Sequence, residues 1–140
     1  MKRIVPTVLA LAALALALPT WADDITGSNL FLCTTGIATK CEEGGECQRV
    51  PVLTMNVPHF IEFDLDNKTI GTTEASHINR STEIKHLMRN DGFIVLQGYE
   101  QGRVFSFSVT EQTGRMRMSV ISDDEIVVVF GVCTPFPAGK

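Results

Sequence analysis

A chain of 140 residues with 44% hydrophobic side chains can bury the core of one domain and is short for two. Its 12 Lys+Arg stand against 16 Asp+Glu, a formal charge of −4, and no basic run occurs. By net charge, nucleic acid or an anionic membrane is a poor partner, and a cationic partner suits the chain better.

The first residues have the form of a bacterial secretory signal. Met1, Lys2 and Arg3 make a positive start, Val8 to Leu18 is an unbroken apolar run, and Pro19 ends it. Thr20-Trp21-Ala22 then places small residues where a signal peptidase reads them, just before Asp23-Asp24. The apolar run is well short of the ~20 residues that span a bilayer, and no cysteine follows it to carry a lipid. The expected organisation is a signal peptide over residues 1–22 and a single exported β-domain over 23–140, periplasmic or secreted, with no membrane span in the mature form. Cleavage would also remove Lys2 and Arg3 and leave the domain more acidic.

Residues 29–33 read as a short apolar strand, and 34–46 as a loop rich in glycine and glutamate. Three cysteines fall here, Cys33, Cys41 and Cys47, and the fourth is Cys133. The spacing lacks both the tight knuckle of a zinc site and the Cys-x-x-Cys of a redox centre. An even count in an exported chain points to disulfides. Residues 48–57 are strand-like, but Pro51 splits that stretch or confines it to an edge. From Phe60, the residues Ile61, Phe63 and Leu65 alternate with Glu62 and Asp64, and Asp66-Asn67 turns the chain into 68–73.

The second half is a sequence of short alternating runs. Residues 82–89 are expected as one strand, followed by the turn Asn90-Asp91-Gly92. Strands at 93–99, 103–109, 115–121 and 125–133 follow, separated by turns ending in Gly102, Gly114 and Asp124. Strand-length segments at this spacing make an antiparallel meander. The expected class is all-β, a meander forming a small barrel or half-barrel tied by disulfides. Phe105, Phe107, Met116, Met118, Val128 and Phe130 are expected to face inward. Residues 126–130 do not alternate, so this strand should be the most enclosed, covered on both faces or lying at a barrel closure. Curling the meander brings first and last strands together, which favours Cys33–Cys133 and Cys41–Cys47 among the three pairings.

Chemistry-bearing groups are sparse. Glu42, Glu43 and Glu46 form an acidic loop pinched by cysteines, the best candidate for binding a cation or basic partner. Asp64 and Asp66 occupy the first positions of a calcium loop, but Lys68, Thr69 and Ala75 then stand where ligands and glycine are needed. His59, His77 and His86 are scattered. A set of Ser76, His77 and Asp91 lacks the strand–turn–helix context of a catalytic serine. Asn67 and Asn79 begin Asn-x-Ser/Thr triplets, which matter only in a eukaryotic secretory pathway. Arg103, Arg115 and Arg117 lie in adjacent strands and read either as an anion-binding stripe or, the favoured expectation, as partners of Glu100, Glu111 or Asp123 at the rim. No catalytic residue, metal or cofactor is assigned, and the chain is read as a non-catalytic exported β-domain that binds a cationic protein or a small ligand in the cell envelope, not as an enzyme.

The stretch DGFIVLQGYEQGRVFSFSVTEQTGRMRMSV, with FGVCTP after it, resembles small uncharacterised exported proteins of Gram-negative bacteria. The shared features are a signal peptide, an early cysteine, a TGRM-like hairpin and a terminal Gly-x-Cys. The layout of Cys33 in a first strand and Cys133 in a last one is also similar in architecture to the periplasmic inhibitors of c-type lysozyme, which are small antiparallel barrels. That likeness implies inhibition of a cationic hydrolase as an alternative to a general binding role. The inhibitors' Ser-Gly and Arg-Tyr loop signature has no counterpart here.

Overall fold

The computed structural model describes residues 23–76 and 78–136. The segment expected as a signal peptide therefore lies outside the described residues, as does His77. The strands are β1 (Leu30–Glu42), β2 (Cys47–Val50), β3 (Phe60–Asp64), β4 (Thr69–Thr72), β5 (Ser81–Glu83), β6 (His86–Asn90), β7 (Phe93–Glu100), β8 (Arg103–Thr110), β9 (Arg115–Ile121) and β10 (Glu125–Pro135). All their pairings are antiparallel, in the order β5-β4-β3-β1-β10-β9-β8-β7-β6, and β2 adds to the far half of β1.

The meander from β6 to β10 follows from its turns. Asp91-Gly92 and Gln101-Gly102 each join two strands with only two residues, and all four have positive φ, from 49° to 79°. This is the turn whose twist matches that of paired strands, and glycine in second place takes its left-handed φ without steric cost. Between the turns, Ile94 and Leu96 of β7, Phe105, Phe107 and Val109 of β8, and Met116, Met118 and Val120 of β9 are buried. At Gly98 an added Cβ would lie 2.2 Å from the Phe105 ring, so the missing side chain is what lets that ring settle across β7.

β1 and β10 close the two halves of the sheet on each other. Cys33 faces Cys133 and Cys41 faces Cys47 in register, and both pairs are disulfide-bonded. Among the described residues no free cysteine remains, and the two bridges suggest an oxidising, extracytoplasmic location. The loop expected at 34–46 is instead mostly strand. β1 runs on to Glu42 because β10 flanks it throughout, while β3 and then β2 flank its other side, so its backbone groups have partners along its length. A bulge between Thr35 and Ala38 shifts the register and resets which side chains face inward. Before it Phe31, Cys33 and Thr35 are buried; after it Ala38 is.

The expected inward face of β10 is corrected. Val127, Val129 and Cys133 are the buried residues, whereas Phe130 is 55% exposed and Val128 only half-buried. The strand is central in the sheet but covered on one face alone, with Ile126 and Val132 also outside. The buried disulfide at Cys133 fixes the parity: every second residue back from it faces inward. Register with β9 agrees, since Val129 lies opposite Met118 and Val127 opposite Val120.

The single strand expected over 82–89 is two. β5 is one edge of the sheet and β6 the other, and Ile84-Lys85 carries the chain between them. The Ile84 N–H donates to Lys68 O at 2.8 Å and the Lys85 N–H to Gln97 O at 2.9 Å, so adjacent residues bond to opposite edges. The sheet is thus curled into a half-barrel whose two edges converge at this dipeptide. Its core stacks Phe31 on Phe63, with Phe107 edge-on to Phe63 at 5.1 Å between centroids. At one end residues 23–29 fold underneath, and the fully buried Ile25 fills the interior there.

Candidate functional site

The end opposite Ile25 gathers the polar chemistry. The β1–β2 hairpin ends in a loop bonded to itself, with Glu42 N–H to Glu46 O at 3.0 Å and Gly45 N–H to Glu42 O at 2.9 Å. The Cys41–Cys47 bridge clamps its base. Glu43 N–H reaches Asp124 O at 3.3 Å and ties this hairpin to the turn between β9 and β10. Glu42, Glu43 and Glu46 are therefore joined by Asp123, Asp124 and Glu125. One cation stands among them: Lys40 Nζ lies 2.9 Å from Glu125 Oε2 and 3.1 Å from Glu42 Oε1. The hydrogen bonds to Glu125 and then Glu42 raise the Lys40 ammonium above the ordinary lysine value.

Sequence reasoning found the first three carboxylates and missed the second three, which it read only as a turn. A signal was present. Antiparallel pairing from Cys33 opposite Cys133 carries Glu42 to the level of residues 124–125, and the bulge decides which of the two, Glu125, it faces.

Beside this acidic tip the half-barrel has an open mouth. A cavity of about 70 Å³ is floored by Ile61, Ile70, Phe105, Phe107, Met118 and Val120 and rimmed by Asn56, Thr82, Arg80, Glu100 and Arg103. Arg80 pairs with Glu100 and donates to Asn56 O at 2.9 Å, and the Thr82 hydroxyl donates to Glu100 at 2.7 Å. The Arg80 hydrogen bond holds the Glu100 carboxyl below the usual glutamate value, against a partial desolvation that opposes it. Arg103 donates to Met55 O at 3.2 Å, at the end of the 3-10 turn Val52–Met55 that Pro51 introduces. A shallow saddle lined by Asn56, Gln101, Arg103, Asp123 and Asp124 joins mouth and tip into one surface.

The expected pairing of the three arginines is corrected here. Glu100 is taken by Arg80 and the buried Glu111 by Arg89, while Arg103 binds a backbone carbonyl. Arg103 has the inward parity of Phe105 and sits at the mouth, so it does not share the outer face on which Arg115 and Arg117 are exposed. Asp64 accepts the Asn67 N–H at 2.9 Å and its side-chain amide at 2.7 Å, which lower its carboxyl below the ordinary aspartate value. Asp66 accepts from Asn29 at 2.8 Å. These two carboxylates hold a turn. His59 and His86 are exposed, the Ser76 hydroxyl donates to Thr73 O, and Asp91 lies in the β6–β7 turn. Among the described residues no three His, Cys, Asp or Glu side chains converge as a metal site, and no helix is long and apolar enough to cross a membrane.

The chain matches no protein-family model, and no curated protein or solved structure is significantly similar to it.

Proposed function

We propose that this chain is a non-catalytic exported binding module, periplasmic or secreted, that docks a cationic protein of the cell envelope at the open end of its half-barrel. The observation that carries this reading is the continuity of the end surface. Six carboxylates on two tied turns, with Lys40 between Glu42 and Glu125, lead through a saddle to an apolar-floored mouth. Carboxylates in this number steer a basic partner, and the disulfide and the Glu43–Asp124 bond limit the ordering cost of docking. The shape of the surface favours a protein over a free small molecule: the saddle, at about 440 Å³, is shallow and open, and only the small mouth is recessed. Ligand pockets run to roughly 300–1,000 Å³, while this mouth, at about 70 Å³, admits the tip of one apolar side chain.

Inhibition of a cationic hydrolase such as lysozyme is the second reading. The rigid acidic hairpin projecting beside a socket favours it. Surface-plasmon kinetics against a c-type lysozyme and against partners recovered from envelope extract test both. Association should slow as salt rises, and replacing Glu42, Glu43 and Glu46 by Gln should lower the on-rate about tenfold at low salt with little change in off-rate. Absence of lysozyme binding at low salt removes the inhibitor reading. A recovered partner indifferent to the three Gln changes removes the acidic tip. Turnover of a peptidoglycan, ester or peptide substrate by the purified protein would overturn the non-catalytic assignment.

A further inference from the structure

The outer face of β1, β10 and β9 has a character opposite to that of the acidic end. Phe130 is 55%, Ile37 56% and Val132 49% exposed, and they lie side by side because the β1 bulge sets Gly36-Ile37 opposite Phe130. Arginines flank this apolar strip on both sides. Arg117 faces Phe130 and Arg115 faces Val132 from β9, and Arg49 of β2 lies across β1, opposite Thr39. A shallow groove joins Arg49, Ile37, Phe130 and Val132. Thr34, Thr39, Ser108, Thr110 and Ser119 are the other outward residues of these rows on β1, β8 and β9, with Val128 outward between Thr39 and Ser119. In a chain with 16 Asp+Glu, none stands within the strip; the nearest, Glu62 and Asp23, fall in the row beyond it, and Asp23 accepts a hydrogen bond from Thr134.

From this we infer that the face is a peripheral contact for an anionic lipid surface. Apolar side chains between cations are the pattern that settles at a headgroup boundary, with the arginines on phosphates and Phe130 and Ile37 entering the interface. The half-barrel is convex here, so a rigid protein surface would meet only its crest, whereas a fluid interface follows the curve. A second copy face to face would set arginines against arginines. Net charge does not prevent the contact. The acidic tip is remote from it, since Phe130 lies five residues along β10 from Glu125, roughly 17 Å at strand spacing and about twice the screening length at physiological salt. The nearer Glu62 and Asp23 stand only at its Val132 margin, where Asp23 is held by Thr134.

The test is co-sedimentation of the full chain with phosphatidylglycerol–phosphatidylcholine vesicles and with phosphatidylcholine vesicles alone. Every variant keeps the apolar run Val8 to Leu18, so any contribution from that run is common to all. Partition onto the anionic vesicles should fall roughly fivefold for each of Arg49→Gln, Arg115→Gln and Arg117→Gln, fall further with Phe130→Ser, and weaken with salt. The Glu42→Gln, Glu43→Gln, Glu46→Gln variant should bind as the unaltered chain does, which separates this result from the partner-docking reading. Unchanged thermal unfolding of the arginine variants verifies that they are folded. Equal binding to both vesicle types, or indifference to all three arginine changes, overturns the inference. So does self-association in sedimentation velocity that disappears in the arginine variants and in the Gln-substituted tip alike, because the face would then receive the acidic tip of another copy.

Discussion

Each end of the half-barrel carries an arginine–glutamate pair, and their surroundings make them different objects. At the closed end residues 23–29 cover Glu111 while Arg89 stays 29% exposed: the Glu111 side chain is 7% exposed, Gly27 N–H approaches the carboxylate oxygen that Arg89 holds, and Ile25 N–H donates to Glu111 O. At the open end Arg80 and Glu100 are about a quarter exposed and stand at the rim of a cavity. The residue types are the same, but a chain segment folds under one end and the Val52–Met55 turn reaches only the rim of the other. An ion pair whose carboxylate is enclosed serves the fold, and one left at a mouth is available to a partner.

The largest expected effect separates the bridge that spans the fold from the one that shapes the tip. Cys33–Cys133 closes a separation of 100 residues and Cys41–Cys47 one of 6. In the chain-entropy account, replacing the first pair by serine costs about 4.7 kcal/mol and the second about 2.4 kcal/mol. Denaturant melts of the two double variants measure both, and equal losses would show that the tip is as integral to the fold as the seam.

The two ion pairs should differ next. Glu111→Gln is expected to cost about 2–3 kcal/mol, since it weakens charge-assisted hydrogen bonds to a buried acceptor. Glu100→Gln should cost under about 1 kcal/mol, as solvent screens a rim pair. Urea midpoints decide, and the reverse order would erase the distinction between the ends.

A change of about 2 kcal/mol tests the parity of β10, which puts Phe130 on the outer face. Val129→Ala removes fully buried carbons and should lose that amount, whereas the larger change Phe130→Ser should stay within about 0.5 kcal/mol. Comparable losses would mean that Phe130 is enclosed.

The smallest effect is in pH. Because the folded Glu100 carboxyl titrates below its unfolded value, its pair with Arg80 stabilises fully above the unfolded glutamate range. That contribution is lost as pH falls through the folded pKa. The stability difference between the unaltered chain and Glu100→Gln should therefore shrink in acid, as urea melts across the acidic range would register. A constant difference would show that the carboxylate is not what Arg80 holds.

Composition, period-two alternation and turn residues by themselves determined the class, the β7–β10 meander and most of the inward side chains. These are local quantities: a side chain's face follows from its neighbours at every second position, and Asp-Gly or Gln-Gly between two alternating runs marks a tight turn. The turns and the buried residues of β8 and β9 were legible for this reason. What local pattern could not supply was any property belonging to two distant segments at once. Residues 126–130 are apolar without alternation, so their face was decided by the disulfide from Cys133 to β1 and by register against Met118. The Thr34–Glu42 stretch looked like a loop because its partners, β10, β3 and β2, are remote in sequence. The acidic tip gained Asp123, Asp124 and Glu125, and Arg49 came to flank Phe130 opposite Arg117, only when the sheet closed. Net charge is a sum that the sequence fixes completely; where that charge collects is a matter of which strands lie side by side, and only the tertiary structure decided it.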